Sequence, residues 1–402
     1  MRYISGPYHQ GQLLRDIHEI ELALTHRFDR SGPITDVAEQ RSWRERVEDA
    51  SFGKNTVLFD DQGNPSVMVV IPLMVLSNLI PGEPNMPHPA FLVGSAVKPL
   101  IYISKYQNIV VGSSTAARAL SLRYKDPAVY INFDNSRAAC TQKGAGWHLM
   151  TNAEWAAIAL WCWKNGFLPR GNNSYGKDYA ITSERGIPSY YYDAAGTKYI
   201  GRVLTGSGPL AWTHDGTPFG IYDLNGNVWE WIDGLKLHDG KIYVHGSGGV
   251  AMNNFETQNN SHDVTGWVDT GAYFDNTTAG NANQTSADIG GDPILSPDLT
   301  NPMYTADPTS DADYGYSFIT FESLTAEANF TPPAMLKHLA IQPPGTGLDD
   351  DGLWVRNYGE RLPIRGGSWG NGSYTGVFAL YLRNARSNSA DYIGFRAAFI
   401  PV

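Results

Sequence analysis

Cysteine is nearly missing: the 402 residues hold two, Cys140 and Cys162. Two cysteines exclude a disulfide framework and any all-cysteine zinc site. Each sits on the apolar face of a helical stretch and reads as a buried hydrophobe. Long apolar runs are missing too. The longest, VMVVIPLMVL (Val67 to Leu76), falls short of the roughly 18 residues a membrane helix needs. It reads as buried strand, broken at Pro72. The opening MRYISGPYHQ has no apolar core behind a basic start, so no secretory signal is expected. Charged residues make up only 17%, with a formal net charge of −10. No basic patch is evident, which argues against nucleic acid and anionic membranes as partners.

What the chain does have is glycine (42), tyrosine (22) and 42% hydrophobic residues. That supports a sizeable core in a loop-rich fold of short strands. The length suits two or three domains, or one with a large insertion. Leu13, Ile17, Ile20 and Leu24 share one helical face. That face either packs on the rest of the chain or self-associates. Residues 1–85 read as an N-terminal attachment or oligomerisation region, leaving through the proline-rich LIPGEPNMPHPAF. A trimer is the expected assembly.

From Phe91 the texture changes. LIYISKYQNIVV alternates like strands, and SSTAARALSLRY reads as a short helix. NFDNSRAACTQKGAG predicts a helix from near Asp134 to Gly144. In HLMTNAEWAAIALWCWKNG, Thr151 and Glu154 form a capping box. Trp155, Ile158, Ala159 and Cys162 make the buried stripe, and Gly166 ends the helix. Capping and packing account for His148 and Glu154 without catalysis. Residues 251–315 are rich in Asn, Thr, Asp and Gly and read as a loop-rich insertion. Their oxygens could hold calcium, but no spacing matches a calcium loop, and no cofactor is expected. In GIYDLNGNVWEW, Asn225-Gly226 makes a tight turn. The following strand sends Trp229 and Trp231 into the core and Glu230 the other way.

Three segments stand in order: AVYINFDNSRAACTQKGAGWHLMTNAEW, GIYDLNGNVWEW and RGGSW…IGFRAAF. Together they resemble the formylglycine-generating enzyme (sulfatase-modifying factor) family, a branch of the C-type lectin fold. The fold this implies is α+β, over residues 91–402. Enzymatic members use two cysteines after RGGS for copper- and oxygen-dependent oxidation of a substrate cysteine. Here Asn371 and Gly376 occupy those places. Neither forms a thiolate or binds copper.

GVFALYLRNARSNSADYIGFRAAF also resembles the C-terminal variable repeat of diversity-generating retroelement target proteins, many of them phage-encoded. In those systems a reverse transcriptase rewrites adenine-rich codons of the repeat. The resemblance implies a non-enzymatic receptor-binding protein with a constant frame and a variable filling, over about 365–399. The variable positions are Gly370, Asn371, Gly372, Tyr374, Tyr381, Arg383, Asn384, Ala390, Asp391 and Tyr392. Tyr with Ser, Gly and Asn is the composition of an adaptable binding surface. In VFALYLR, Phe378, Leu380 and Leu382 should face the core, and Ala379, Tyr381 and Arg383 the other side. Tyr374, Tyr381, Arg383, Asp391 and Tyr392 are expected exposed; Trp369 and Phe395 are expected buried. Arg365 and Arg396 read as framework, tying loops to carbonyls. The last strand, IGFRAAFI, should be central with one apolar face. The partner implied is a protein or surface glycan on a host cell, met from a phage tail or another display structure. The alternatives are a formylglycine-type oxidase or inactive relative, and a calcium-dependent sugar-binding lectin.

Overall fold

The computed structural model describes residues 7–256, 263–280, 290–303 and 315–401. At its centre lies the helix Asn152–Lys164, and its capping box forms as the sequence requires. Thr151 Oγ1 accepts from the Glu154 N–H (3.3 Å), and Glu154 Oε2 accepts from the Thr151 N–H (2.9 Å). The expected stripe is buried, but so are Ala153, Ala156, Ala157 and Leu160. A helix apolar nearly all round belongs inside. Trp155 Nε1 donates to the Val377 carbonyl (2.7 Å), tying the helix to the C-terminal strands.

Two sheets meet around it. The first is antiparallel, in the order Asn55–Phe59, Pro65–Pro72, Leu100–Ser104, Ala397–Phe399, Trp147–Leu149. The second has eleven strands among the described residues. Its middle runs Leu235–His238, Glu360–Gly366, Gly376–Asn384, Gly352–Val355. Both sheets and the helix contribute to one core, with Val69 and Ile101 from the first and Leu235, Phe378 and Leu380 from the second.

The final strand is central, but it is not one strand. Ile393–Phe395 pairs in parallel with Trp229–Trp231 in the second sheet, and Ala397–Phe399 belongs to the first. The break falls at Arg396, which is fully buried. Its Nε and Nη2 donate to the two Glu230 oxygens (2.9 and 2.7 Å), and its Nη1 and Nη2 to the carbonyls of Ser104 and Tyr222. The alternation expected of IGFRAAFI therefore leaves no polar outer face. Gly394, Arg396 and Ala398 are buried as well, because the segment passes between two layers.

The N-terminal helix Pro7–Ser31 packs on this body through Ile17 and Leu24, with Ile20 half-buried; the side chain of Leu13 lies outside the described residues. Glu21 accepts from Lys105 Nζ and from the Tyr106 hydroxyl, both at 2.6 Å and fully buried. Strand Pro65–Pro72 pairs directly with Leu100–Ser104. The boundary placed at the proline-rich exit thus falls between strands of one sheet, and residues 55–72 have no sheet of their own.

One element was not expected, and two expectations differ from the structure. A second N-terminal helix, Val37–Ser51, rests on sparse apolar contacts, Trp43 and Val47. SSTAARALSLRY forms a single 3-10 turn, Ser114–Ala116, and a strand, Arg118–Leu120. The region 251–315 contains the ten-residue strand Trp267–Asn276, paired with Lys241–Ser247 and Pro293–Ser296. Its alternate residues Val268, Thr270, Ala272 and Phe274 are buried. Residues 281–289, the heart of the calcium expectation, lie outside the described residues. Among the described residues no cluster of three His, Cys, Asp or Glu is placed to hold a metal ion.

Candidate ligand-binding surface

Strand Gly376–Asn384 sorts its side chains as its alternation predicts. Phe378, Leu380 and Leu382 are fully buried in the main core. Ala379, Tyr381 and Arg383 turn the other way. There the strand forms one side of a concavity of about 390 Å³. Trp229, Trp354 and Ile364 form its floor. Seven of the ten positions expected to vary line it: Gly370, Asn371, Tyr381, Arg383, Asn384, Asp391 and Tyr392. Gly372, Tyr374 and Ala390 stand outside the lining. Tyr374 is exposed and meets Phe318 edge-on (5.0 Å between ring centres).

The frame holds this stretch by its backbone. The Asp391 carbonyl accepts from Arg202 Nη1 (2.7 Å), and Arg202 is fixed by both oxygens of Asp126 (3.0 and 2.9 Å). The carbonyls of Tyr392, Ala390 and Trp369 accept from the N–H groups of Trp229 (2.9 Å), Tyr130 (2.9 Å) and Tyr175 (2.8 Å). The Gly372 N–H donates to the Asn173 carbonyl (2.9 Å). None of these bonds depends on which side chain sits at 372, 390, 391 or 392. Trp369 and Phe395 are buried, as expected. So is Arg365, whose Nε and Nη2 donate to Asn152 Oδ1 (3.1 and 2.8 Å) and whose Nη2 also reaches the Ala340 carbonyl.

The exposure of the residues expected to vary is graded rather than uniform. Tyr374 and Tyr392 are exposed, while Tyr381, Arg383 and Asp391 are half-buried. Tyr381 sits 5.5 Å from the ring centres of both Trp229 and Trp354, and burial pushes its phenol pKa up. The Arg383 guanidinium lies over the Tyr316 ring at 4.7 Å. Asp391 accepts from the Tyr190 hydroxyl (3.1 Å). Burial and the neighbouring Asp391 charge raise the Tyr392 phenol. Asn384 is buried, and its Nδ2 has no hydrogen-bond partner. Asn371 uses its Oδ1 on the turn, accepting from the N–H (3.0 Å) and hydroxyl (2.8 Å) of Ser368. These departures share one cause: the surface is a hollow, and its lower residues touch the floor.

The sequence reading missed the far wall, made by Tyr175, Tyr192 and Tyr316. The signal was present. Tyr190, Tyr191 and Tyr192 run consecutively in a polar stretch and enter the hairpin Tyr191–Ala194 with Thr197–Ile200. Tyr190 packs on Trp369 (6.0 Å between ring centres), but Tyr191 and Tyr192 are exposed and have no core to fill.

Residues 104–272 match the family described as Sulfatase-modifying factor enzyme 1-like domain. Over that stretch the chain is similar to this family. Its fold is α+β and C-type lectin-like, as the motif order implied. The matched stretch holds Tyr175, Tyr192 and Trp229, which line the hollow opposite residues 370–392. No curated protein matches the sequence. Among solved structures, PvdO from Pseudomonas aeruginosa is 16% identical, over 86% of this chain and 97% of that one, with a TM-score of 0.35. Treponema denticola variable protein 1 is 14% identical, over 86% and 99%, with a TM-score of 0.31. The Major Tropism Determinant P3c variant is 12% identical, over 83% and 63%, with a TM-score of 0.27.

Proposed function

We propose that the chain is a non-enzymatic receptor-binding protein whose hollow, walled by residues 370–392, is diversified by a retroelement. The observation that carries this is the division of roles in one stretch. The frame grips the filling through backbone carbonyls, while most of the filling's side chains line a single concavity. Such a surface tolerates replacement of its side chains without loss of its supports. The reading extends to a phage or prophage origin, with display on a virion tail or another surface. Residues 1–85 serve attachment, and the assembly is a trimer. The partner is a protein or glycan on a host cell.

Two observations weigh against the oxidase alternative. A Cβ at Gly376 would lie 2.1 Å from Asp351 Oδ1, so a cysteine there requires the carboxylate to move. Both real thiols, Cys140 and Cys162, are buried, and burial raises their pKa, which suppresses the reactive thiolate.

The test lies in the neighbouring DNA. The reading expects a near-copy of the segment coding for residues 365–399, with adenines at the ten variable codons, beside a reverse transcriptase gene. A flanking sequence with neither would overturn retroelement diversification.

A further inference from the structure

Three tyrosines outside the C-terminal stretch hold left-handed backbone angles: Tyr124 (φ 58°), Tyr130 (φ 53°) and Tyr175 (φ 55°). This conformation is strained for a residue with a Cβ, and asparagine tolerates it better than tyrosine. At Tyr124, packing explains the choice. The Arg123 guanidinium lies 4.6 Å from its ring centre, and Arg123 Nη2 donates to its hydroxyl (3.5 Å). Tyr130 and Tyr175 differ, being 69% and 41% exposed. Each is bonded to the C-terminal stretch through its backbone N–H, Tyr130 to Ala390 and Tyr175 to Trp369. Asparagine would make the same two bonds with less strain. The Tyr175 ring meets Tyr199 (5.2 Å), which is itself 42% exposed. The fold therefore gives little reason for a phenol at either place. Strain held at a surface position points to a role outside the fold.

We propose that the partner is a folded protein surface, and that Tyr130, Tyr175 and the hairpin tyrosines Tyr191 and Tyr192 are its invariant contacts. This rests on the reading of residues 370–392 as a variable binding surface. A small molecule in the hollow would reach Tyr175 and Tyr192, which line it, but not Tyr130 or Tyr191, which do not. Tyr191 is 56% exposed and Tyr192 39%. Exposed amphipathic rings beside a depression of mixed aromatic and polar lining are the makeup of a protein-binding paratope. Tyrosine is also among the residues that dominate interface energetics. The division follows: the fixed tyrosines give every variant a common affinity, and the varied residues choose the partner.

The test uses the full chain, randomised at the ten variable positions and selected on lysozyme as the protein probe. Several unrelated binders then receive Tyr130→Asn, Tyr175→Asn or Tyr191→Ala. The expected result is an increase in lysozyme Kd of about tenfold in most binders, the scale of a moderate interface anchor. The melting temperatures of the asparagine variants should be unchanged or raised. Unchanged Kd across the binders overturns the proposal. A lower melting temperature in the asparagine variants also overturns it, since that is the mark of a packing role. Failure to select any binder from a library that stays folded is a different result. It defeats the variable-surface reading itself, and this proposal with it.

Discussion

Arg396 and Arg383 lie in the same C-terminal stretch and spend their guanidiniums in opposite ways. Arg396 is fully buried where the chain crosses between sheets, with hydrogen bonds to Glu230, Ser104 and Tyr222. Arg383 lies half-buried on the wall of an open hollow, over the ring of Tyr316. The first closes the fold; the second faces whatever enters the hollow. One sequence run can thus hold both buried framework residues and residues that line an open hollow, if the framework grips by main chain.

Breaking the framework side should have the largest effect. Arg396→Ala leaves the Glu230 carboxylate buried and uncompensated. A loss of about 3–5 kcal/mol is expected, as for other broken buried ion pairs. Trp369→Ala should cost about the same, the range for large aromatic core residues. Chemical denaturation of each variant against the parent measures both.

The buried histidines give the next effect, and its direction follows from linkage. Burial lowers the pKa of His245 to about 4 and of His88 to about 3. Unfolded, both titrate near 6.5, so below that pH the unfolded chain binds protons that the folded one refuses. Stability should therefore fall as pH drops from about 6.5 toward 4. In His245→Phe this fall should be shallower, since the depressed titration is removed; the ring makes no hydrogen bond to lose, though its Nε2 lies 3.6 Å from Asp233 Oδ1. Melting curves across that pH range would show it. An equal slope in parent and variant would rule out His245 as a contributor.

Smaller effects sharpen the comparison within the filling. Tyr381→Ser removes a half-buried ring between Trp229 and Trp354 and should cost about 1–2 kcal/mol, in the ordinary range for single substitutions. Tyr374→Ser and Tyr392→Ser, at exposed positions, should each change stability by no more than about 0.5 kcal/mol. Denaturation midpoints that put Tyr392 above Tyr381 would invert the gradient from floor to rim.

Local chemistry made much of this legible in the sequence. The Thr151–Glu154 box and the alternation of Phe378, Leu380 and Leu382 are short-range signals, and the structure keeps them. The tight turn expected at Asn225-Gly226 is instead an open bend, with Gly226 at φ 77° bridging to Asn172 and its N–H donating to the Gly366 carbonyl. Long-range partnership was not legible. The break at Arg396 depends on Glu230, far away in the chain. The helix Val37–Ser51 has too few apolar residues to announce itself; its Trp43 and Val47 find their place only beside the neighbouring helix and strands. The hollow escaped for the same reason. Its far wall comes from Tyr175, Tyr192 and Tyr316; the run of tyrosines at 190–192 marks a surface, but nothing in the sequence links it to residues 370–392.

The most direct measurement is thermal melting of a set of clones in which all ten positions proposed to vary are replaced at once with random residues. The account predicts that most clones unfold cooperatively within a few degrees of the parent, with the largest shifts tracking the residues at 381 and 384. A set in which most clones fail to fold would contradict it, because the filling would then be holding up the frame.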